Sequence, residues 1–180
     1  RAGFGNFQGT EFTSENLADL WRASVYGSIN SRLQLWTGKA LNPGTESGTR
    51  FSPTPVVPGL ALNTNLNLNL SYFGDGSSQQ AFSISGGPTL TLGRLQKNFL
   101  DYTQFTIAGG GTLRQGVSPF SFDRIVDLST LGIGLTQQLV GPLMFSGGVG
   151  FNVDPNSEFY GDIVDSYVEL RWQRRAYELA

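Results

Sequence analysis

Leucine and asparagine alternate along residues 60–72, whose sequence is LALNTNLNLNLSY. One set of alternate positions is almost entirely apolar and comprises Leu60, Leu62, Thr64, Leu66, Leu68, Leu70 and Tyr72. The intervening positions are polar or small and comprise Ala61, Asn63, Asn65, Asn67, Asn69 and Ser71. Because successive side chains of a β-strand point to opposite faces, this period of two predicts a strand with one apolar and one polar face. The segment is longer than a typical soluble strand and suits one that crosses a membrane at a tilt.

The same alternation recurs along the rest of the chain, with turn signals between the segments. The further predicted strands cover residues 21–35, 82–92, 103–113, 130–138, 143–153 and 164–172, and another begins at Ala176. Short turns are predicted at residues 74–76, 140–142 and 154–156 because Gly, Asp, Asn and Pro cluster there. Longer connections are expected at residues 38–58 and 115–127, and Ser14 offers an N-cap for a short helix over residues 14–20.

Composition favours a membrane barrel over a soluble sandwich, although both architectures alternate. The solvent face of a soluble sheet usually carries Lys, Glu and Arg, whereas only 14% of this chain is charged. The polar positions hold mainly Asn, Gln, Ser, Thr and Gly, and the apolar positions between residues 60 and 153 include no Asp, Glu, Lys or Arg. A surface that faces lipid requires this omission. We therefore predict an all-β fold, an antiparallel transmembrane β-barrel with about seven or eight strands in this chain.

The polar positions are predicted to line a water-filled lumen. The predicted lumen-facing residues are Asn63, Asn65, Asn67, Asn69, Gln104, Arg114, Gln138, Asn152, Asp165, Glu169 and Arg171. Aromatic residues gather near the predicted strand ends, as an interfacial girdle requires. Two alternatives stay open: a porin-like channel for small solutes, whose lumen is also polar, and a soluble glycan-binding β-sandwich that uses Asn, Gln and Trp.

The absence of His and Cys restricts the chemistry open to the chain. It excludes thiolate nucleophiles, disulfides, zinc sites built from Cys or His, and any triad that contains His. The 12 basic and 14 acidic residues are scattered, so the sequence forms no basic patch for nucleic acid. We predict no catalytic residue, no cofactor and no metal site, and hence no enzyme.

Two groups of charged residues are candidate sites. Asp123, Arg124 and Asp127 share one predicted loop, where a salt-bridged loop is the favoured interpretation. A second group comprises Asp162, Asp165 and Glu169. Its oxygens suit a hard cation, but pairing with the arginines at positions 171, 174 and 175 on adjacent strands is favoured.

Six stretches carry a resemblance to a known family. They are LWTGKAL (35–41), RFSPTPVVPGL (50–60), LGRLQKNFLDYT (92–103), SPFSFDR (118–124), LTQQLVGP (135–142) and WQRRAYEL (172–179). With these stretches the chain resembles a cyanobacterial family of outer-membrane β-barrel domains of unassigned function, related to the LptD/OstA proteins of lipopolysaccharide assembly and organic solvent tolerance.

The resemblance implies the C-terminal part of a larger barrel in the outer membrane of a cyanobacterial, Gram-negative-type cell. The implied role is delivery of lipopolysaccharide to the outer leaflet, through a lateral opening between the first and last strands. The implied partners are membrane lipid and lipopolysaccharide, periplasmic Lpt-type bridge proteins and the barrel assembly machinery. The chain starts at Arg1 without an initiator Met and stops inside a predicted strand, so we expect it to be a fragment. Compared with the proteins that it resembles, such a fragment is expected to lack the periplasmic β-jellyroll, the earlier strands and the terminal strand expected after Ala180, and no functional residue is carried over.

Overall fold

The computed structural model describes residues 2–10, 17–39, 51–52, 55–120, 129–173 and 178–179. These residues form strands and no helix. The strands are β1 (Ala2–Thr10), β2 (Leu17–Thr37), β3 (Gly59–Phe73), β4 (Ser78–Gly93), β5 (Tyr102–Gly116), β6 (Ser129–Val140), β7 (Leu143–Asn152), β8 (Ile163–Gln173) and β9 (Glu178–Leu179). In this part of the chain no helix is long and apolar enough to cross a membrane.

The strands form one nine-stranded sheet in which spatial order follows sequence order, from β1 to β9. Pairing is antiparallel, for example from Ala2↔Val25 to Thr10↔Leu17 between β1 and β2, and from Thr130↔Asn152 to Val140↔Leu143 between β6 and β7. The all-β, antiparallel prediction is therefore confirmed. Within the described residues, no pairing joins the end strands β1 and β9.

The alternating segments coincide with strands β2 to β8. The first strand, β1, was not predicted, because its sequence lacks alternation: the phenylalanines stand three residues apart, at positions 4 and 7, and three of its residues are glycine. The helix considered for residues 14–20 is wrong for residues 17–20, which belong to β2, and its other residues lie outside the described part of the chain. The predicted last strand is represented by β9, which pairs with Trp172 and Gln173.

Short turns occur where the sequence predicted them. Gly76 has a φ of 87° and its N–H donates to the carbonyl of Phe73 (3.0 Å). Gly141 has a φ of 55° in the connection between β6 and β7. After β7, the Asp154 carboxylate accepts from the N–H of Asn156 (2.9 Å). Two of these turns thus place glycine in the left-handed region, which other residues rarely adopt.

The Asp75 side chain fixes the turn between β3 and β4. Its Oδ1 accepts from the N–H of Ser77 (2.8 Å) and from the Ser77 hydroxyl (2.6 Å). We expect Asp75→Ala to lower the free energy of unfolding by about 1 kcal/mol, because both bonds are lost at an exposed position where water replaces part of them. Denaturant titration of the folded protein measures this change. Ser77→Ala, which removes the hydroxyl bond alone, is expected to cost less than Asp75→Ala; the reverse order would contradict this role of Asp75.

The two long connections contribute buried residues. In the connection between β2 and β3, the described residues 38–39, 51–52 and 55–58 form no strand, and Phe51 and Ser52 are buried. In the connection after β5, which begins at residue 117 because β5 runs to Gly116, Phe120 is fully buried. The candidate site Asp123, Arg124 and Asp127 lies outside the described residues, as do Arg174 and Arg175.

The chain divides into two compact units. The first comprises Arg1–Ser31, Thr64–Ser85 and Gly110–Ser129, and the second comprises Arg32–Asn63, Gly86–Gly109 and Thr130–Ala180. Each unit has a small apolar cluster of its own.

In the first unit, the cluster pairs Phe73 at the end of β3 with Phe120 of the connection after β5. Their ring centroids lie 5.9 Å apart at an interplanar angle of 71°, an edge-to-face arrangement. Leu20 packs against this pair, and the Arg22 guanidinium lies 6.0 Å from the centroid of the Phe73 ring. The aromatic contact thus joins the end of β3 to the long connection, and the cation–π contact joins the end of β3 to β2.

In the second unit, the cluster joins Phe51 of the connection between β2 and β3 with Leu95 and Met144. Val56 and Tyr102 are partly buried against it. The residues from β5 and β7, Tyr102 and Met144, occupy the same alternate positions as the polar Gln104 and Ser146. This cluster therefore lies on the polar side of those strands.

The sheet exposes its apolar face and covers much of its polar face. The apolar face is defined by the following exposed side chains: Leu62, Leu68, Leu70, Tyr72, Phe82, Ile84, Leu92, Phe105, Ile107, Leu113, Leu131, Ile133, Leu135, Val164, Val168, Leu170 and Trp172. The opposite, polar face holds Ser71, Gln79, Gln138, Ser146 and Asn152, all of them buried. A water-soluble sheet has the opposite arrangement, with its apolar face packed on a core.

Candidate functional site

The asparagines of β3 form a hydrogen-bonded row on the polar face. In the first unit, the Asn65 amide donates to Asn30 Oδ1 on β2 (2.6 Å), and the Asn67 amide donates to Asn65 Oδ1 (2.6 Å). The Tyr26 hydroxyl donates to Asn67 Oδ1 (2.7 Å). Alternation places these amides on one face, and each amide carries both donors and acceptors, so neighbouring strands are joined by uncharged groups.

Hydroxyl groups extend the polar face in the second unit. The Asn63 amide donates to Thr89 Oγ1 (3.1 Å), and the Thr89 and Thr106 hydroxyl oxygens lie 3.5 Å apart. Gln104 reaches Thr91 Oγ1 at 3.5 Å. These side chains come from β3, β4 and β5, which are consecutive in the sheet. The polar face is therefore a continuous surface of amides and hydroxyls in this unit.

A polar cavity of about 370 Å³ lies on this face in the second unit. It is lined by Ser52, Val56, Leu95, Tyr102, Gln104, Thr136, Met144, Ser146, Tyr167, Glu169, Arg171 and Gln173. Arg171 donates to Glu169 Oε2 at 2.7 Å. This ion pair lies within β8, although pairing with arginines on adjacent strands was the favoured interpretation from the sequence. The pair leaves the cavity lining without net charge.

A second cavity, of about 270 Å³, adjoins the first through shared lining residues. It is lined by Gln104, Thr106, Ala108, Gly132, Ile133, Gly134, Thr136, Gly148, Val149, Gly150, Asp165 and Tyr167. Gln104, Thr136 and Tyr167 line both cavities. We call this second cavity the glycine groove.

Gln138 and Asn152, both predicted to face a lumen, bind turns. Gln138 is fully buried; its amide donates to the carbonyls of Lys97 (2.9 Å) and Gly141 (2.8 Å), and its Oε1 accepts from the N–H of Asp101 (2.8 Å). Asn152 donates to Ser157 Oγ (3.0 Å) in the connection after β7. These two side chains therefore brace the strand ends of the second unit.

The other predicted residues fall into separate groups. Gln104 lines both cavities, whereas Asp165 lines the glycine groove and Glu169 and Arg171 line the first cavity. Asn69 and Arg114 are half-buried on strands of the first unit. Within the described residues, Asp and Glu side chains do not gather into a group of three that could hold a metal ion. Whether the polar face lines an aqueous lumen stays a prediction.

Sequence reasoning missed Tyr26 and Tyr167, which take part in the polar face. Tyr26 binds Asn67, and Tyr167 lines both cavities. Each residue occupies the polar alternate positions of its strand, Tyr26 with Arg22 and Asn30, and Tyr167 with Glu169. The alternate position of each tyrosine along its strand therefore indicated the polar face, but the prediction gave no polar role to aromatic residues.

The comparison with known proteins gives a family without an assigned activity. The family described as "Protein of unknown function (DUF3769)" matches residues 2–180. The chain belongs to the DUF3769 family. The match covers almost the whole of this DUF3769 chain, both units included. No curated protein and no solved structure matches it.

Proposed function

We propose that this DUF3769 chain forms part of the wall of a transmembrane β-barrel in the outer membrane and takes part in transport of lipid to or across that membrane. One observation carries the proposal: the apolar side chains of β3 to β8 are exposed, while the opposite face buries Ser, Gln and Asn. Exposure of many large apolar side chains to water is unfavourable. Contact with acyl chains removes this cost, and the polar face then borders water inside the barrel.

The charges on the apolar face agree with this orientation. The alternate positions of β3 to β8 that share this face include no Asp, Glu, Lys or Arg, and a cationic side chain at the bilayer midplane would cost roughly 2–4 kcal/mol. Trp21 and Tyr72 stack near one end of β3, with ring centroids 6.2 Å apart. Aromatic side chains of this kind are enriched at membrane–water interfaces. These observations support the membrane orientation over a glycan-binding soluble sandwich.

The lipid-transport part of the proposal rests on the resemblance to barrels related to LptD/OstA. We propose lipopolysaccharide as the transported lipid, with periplasmic Lpt-type bridge proteins and the barrel assembly machinery as partners, and a cyanobacterial, Gram-negative-type outer membrane as the location. Buried connection residues add support, because Phe51 packs against Leu95 and Met144 on the polar side of the strands. A connection folded onto the polar face narrows the passage available to small solutes and suits a protein that does not conduct them freely.

Depletion of the full-length protein in its host tests the proposed function. We expect the protein in the outer-membrane fraction, and we expect its depletion to reduce lipopolysaccharide at the cell surface, measured by labelling intact cells. An outer-membrane protein whose loss leaves surface lipopolysaccharide unchanged but slows uptake of small solutes would favour the porin-like channel instead. Recovery of the protein in a soluble fraction would contradict the proposal that the chain forms part of a membrane barrel.

A further inference from the structure

The floor of the glycine groove is made of backbone. Gly132 and Gly134 lie on β6, Gly148 and Gly150 lie on β7, and all four line the groove. A Cβ added at Gly148 would lie 2.6 Å from Cε1 of Tyr167. The Tyr167 ring therefore rests directly on the backbone at Gly148. A larger side chain at position 148 would clash with the ring in this position.

Three of these glycines could carry a Cβ without a steric clash. A Cβ at Gly132 would meet nothing closer than the carbonyl oxygens of Ala108 and Val149, both at 3.7 Å. At Gly134 the nearest atom would be the Tyr167 hydroxyl, at 3.5 Å. Gly150 likewise has its nearest neighbour at 3.6 Å. Backbone packing does not require glycine at these positions, and their small size instead keeps the groove flat and open.

The walls of the groove carry amide, hydroxyl, aromatic and carboxylate groups. Gln104, Thr106 and Thr136 supply neutral donors and acceptors, Tyr167 supplies a half-exposed ring, and Asp165 supplies a carboxylate. The described lining contains no Lys or Arg. The arginine of the adjoining cavity, Arg171, is bound to Glu169. The lining is thus net negative and disfavours anionic ligands such as phosphorylated or sulfated groups.

We propose that the glycine groove binds an uncharged glycan segment, with a sugar ring against the Tyr167 ring and the sugar hydroxyls bonded to Gln104, Thr106, Thr136 and Asp165. Sugar rings are flat on their C–H faces and match an aromatic ring above a flat floor. Their hydroxyls both donate and accept, as amide and carboxylate groups require for a full set of hydrogen bonds. The proposal deepens the proposed transport function, since it assigns the neutral part of a glycolipid to this part of the polar face.

Calorimetric titration of the full-length protein in detergent tests this assignment with two hexasaccharides of equal length, neutral maltohexaose and anionic heparin hexasaccharide. We expect maltohexaose to bind and heparin hexasaccharide to bind at least about tenfold more weakly, equivalent to about 1.4 kcal/mol. Absence of maltohexaose binding by the folded protein, or tighter binding of the anionic sugar, would overturn the proposal.

Variants locate the binding site. Gly132→Ala combined with Gly134→Ala fills the floor, and Tyr167→Ala removes the ring; each is expected to weaken maltohexaose binding by about tenfold or more. Tyr167→Phe keeps the ring and is expected to restore most of the affinity. Gly109→Ala is the matched control, because its Cβ would meet Thr130 O at 3.5 Å and Leu131 Cδ1 at 3.7 Å, on the opposite face. Equal affinities in all these variants would contradict the assignment to the groove.

A measurement of membrane assembly distinguishes failure of the glycan-site proposal from failure of the proposed barrel function. The heat-modifiable migration of folded barrels in detergent gels reports assembly without any glycan. We expect every groove variant to assemble like the wild-type protein. If the wild-type protein assembles but does not bind maltohexaose, the glycan-site proposal is wrong and the barrel proposal stands. If the wild-type protein fails to enter membranes, the barrel proposal itself is wrong.

Discussion

Arginine in place of Leu68 is expected to prevent assembly of the chain in a membrane. Leu68 lies in the inner part of β3 and its side chain is 42% exposed on the apolar face, which we propose faces acyl chains. A cationic side chain at mid-depth in the bilayer would cost roughly 2–4 kcal/mol, a large part of the 5–15 kcal/mol that stabilises a typical folded domain. We expect loss of the heat-modifiable folded form and of resistance to urea extraction from membranes.

The neighbouring position gives a matched control. Asn69 is the next residue of β3, and its half-buried side chain lies on the polar face. Because that face is proposed to border water, Asn69→Arg is expected to leave most of the assembled protein in the membrane. Both variants introduce the same side chain into the same strand, so bulk and β-propensity are matched. Equal assembly of the two variants, or equal loss, would contradict the orientation of the sheet.

The strands were predictable because their faces differ so strongly in chemistry. Leu and Asn alternate through the centre of β3, and residues 131–136 of β6 alternate between Leu or Ile and Gly or Thr. A shift of one residue would place every leucine of β3 on the polar face, so the pattern fixes both strand and register. In β1 the glycines and the phenylalanines at positions 4 and 7 remove that signal. Its assignment depends on pairing with β2, which joins residues up to 23 positions apart.

The faces of the candidate site were predictable, but its contacts were not. Alternation placed Gln104, Asp165 and Glu169 on the polar face, and these residues line the cavities of the second unit. It did not predict that Glu169 would bind Arg171 in its own strand, or that Tyr167 would rest over Gly148. The alternation of residues along a strand specifies which side of the sheet each side chain occupies. Contacts depend also on the register between strands and on side-chain rotamers, and a local sequence pattern specifies neither of these.

Gln138 shows this limit most clearly, because two of its partners, Lys97 and Asp101, lie in a distant connection. Residues 94–101 join β4 to β5, and two leucines there, Leu95 and Leu100, have φ angles of 55° and 46°. Such angles are costly for residues with a branched side chain and persist only where the surroundings impose them. Asp101 holds the connection from within, since its carboxylate accepts from the N–H groups of Gln96 (2.8 Å) and Lys97 (3.0 Å).

Gln138 ties this connection to β6 and to the turn that follows it. Its amide binds carbonyls on both sides, those of Lys97 and Gly141, and its oxygen binds the N–H of Asp101. The backbone reinforces the same junction, because the N–H of Gly141 donates to the carbonyl of Asn98 (2.6 Å). The side chain is fully buried, so water cannot take over these bonds when the amide is removed.

We expect Gln138→Leu to lower the free energy of unfolding by about 3 kcal/mol, since the three hydrogen bonds of a fully buried side chain are lost. Denaturant titration gives the loss of stability, and hydrogen exchange is expected to accelerate at residues 94–101.

Gln137→Leu is the matched control. It also removes an amide that binds β5, through Thr103 and the carbonyl of Tyr102, but Gln137 is only half-buried and does not bind residues 94–101 through any of these bonds. The control is therefore expected to cost less and to leave exchange in that connection unchanged. Equal acceleration in both variants would show that residues 94–101 depend on general strand pairing, and the special role of Gln138 would be wrong.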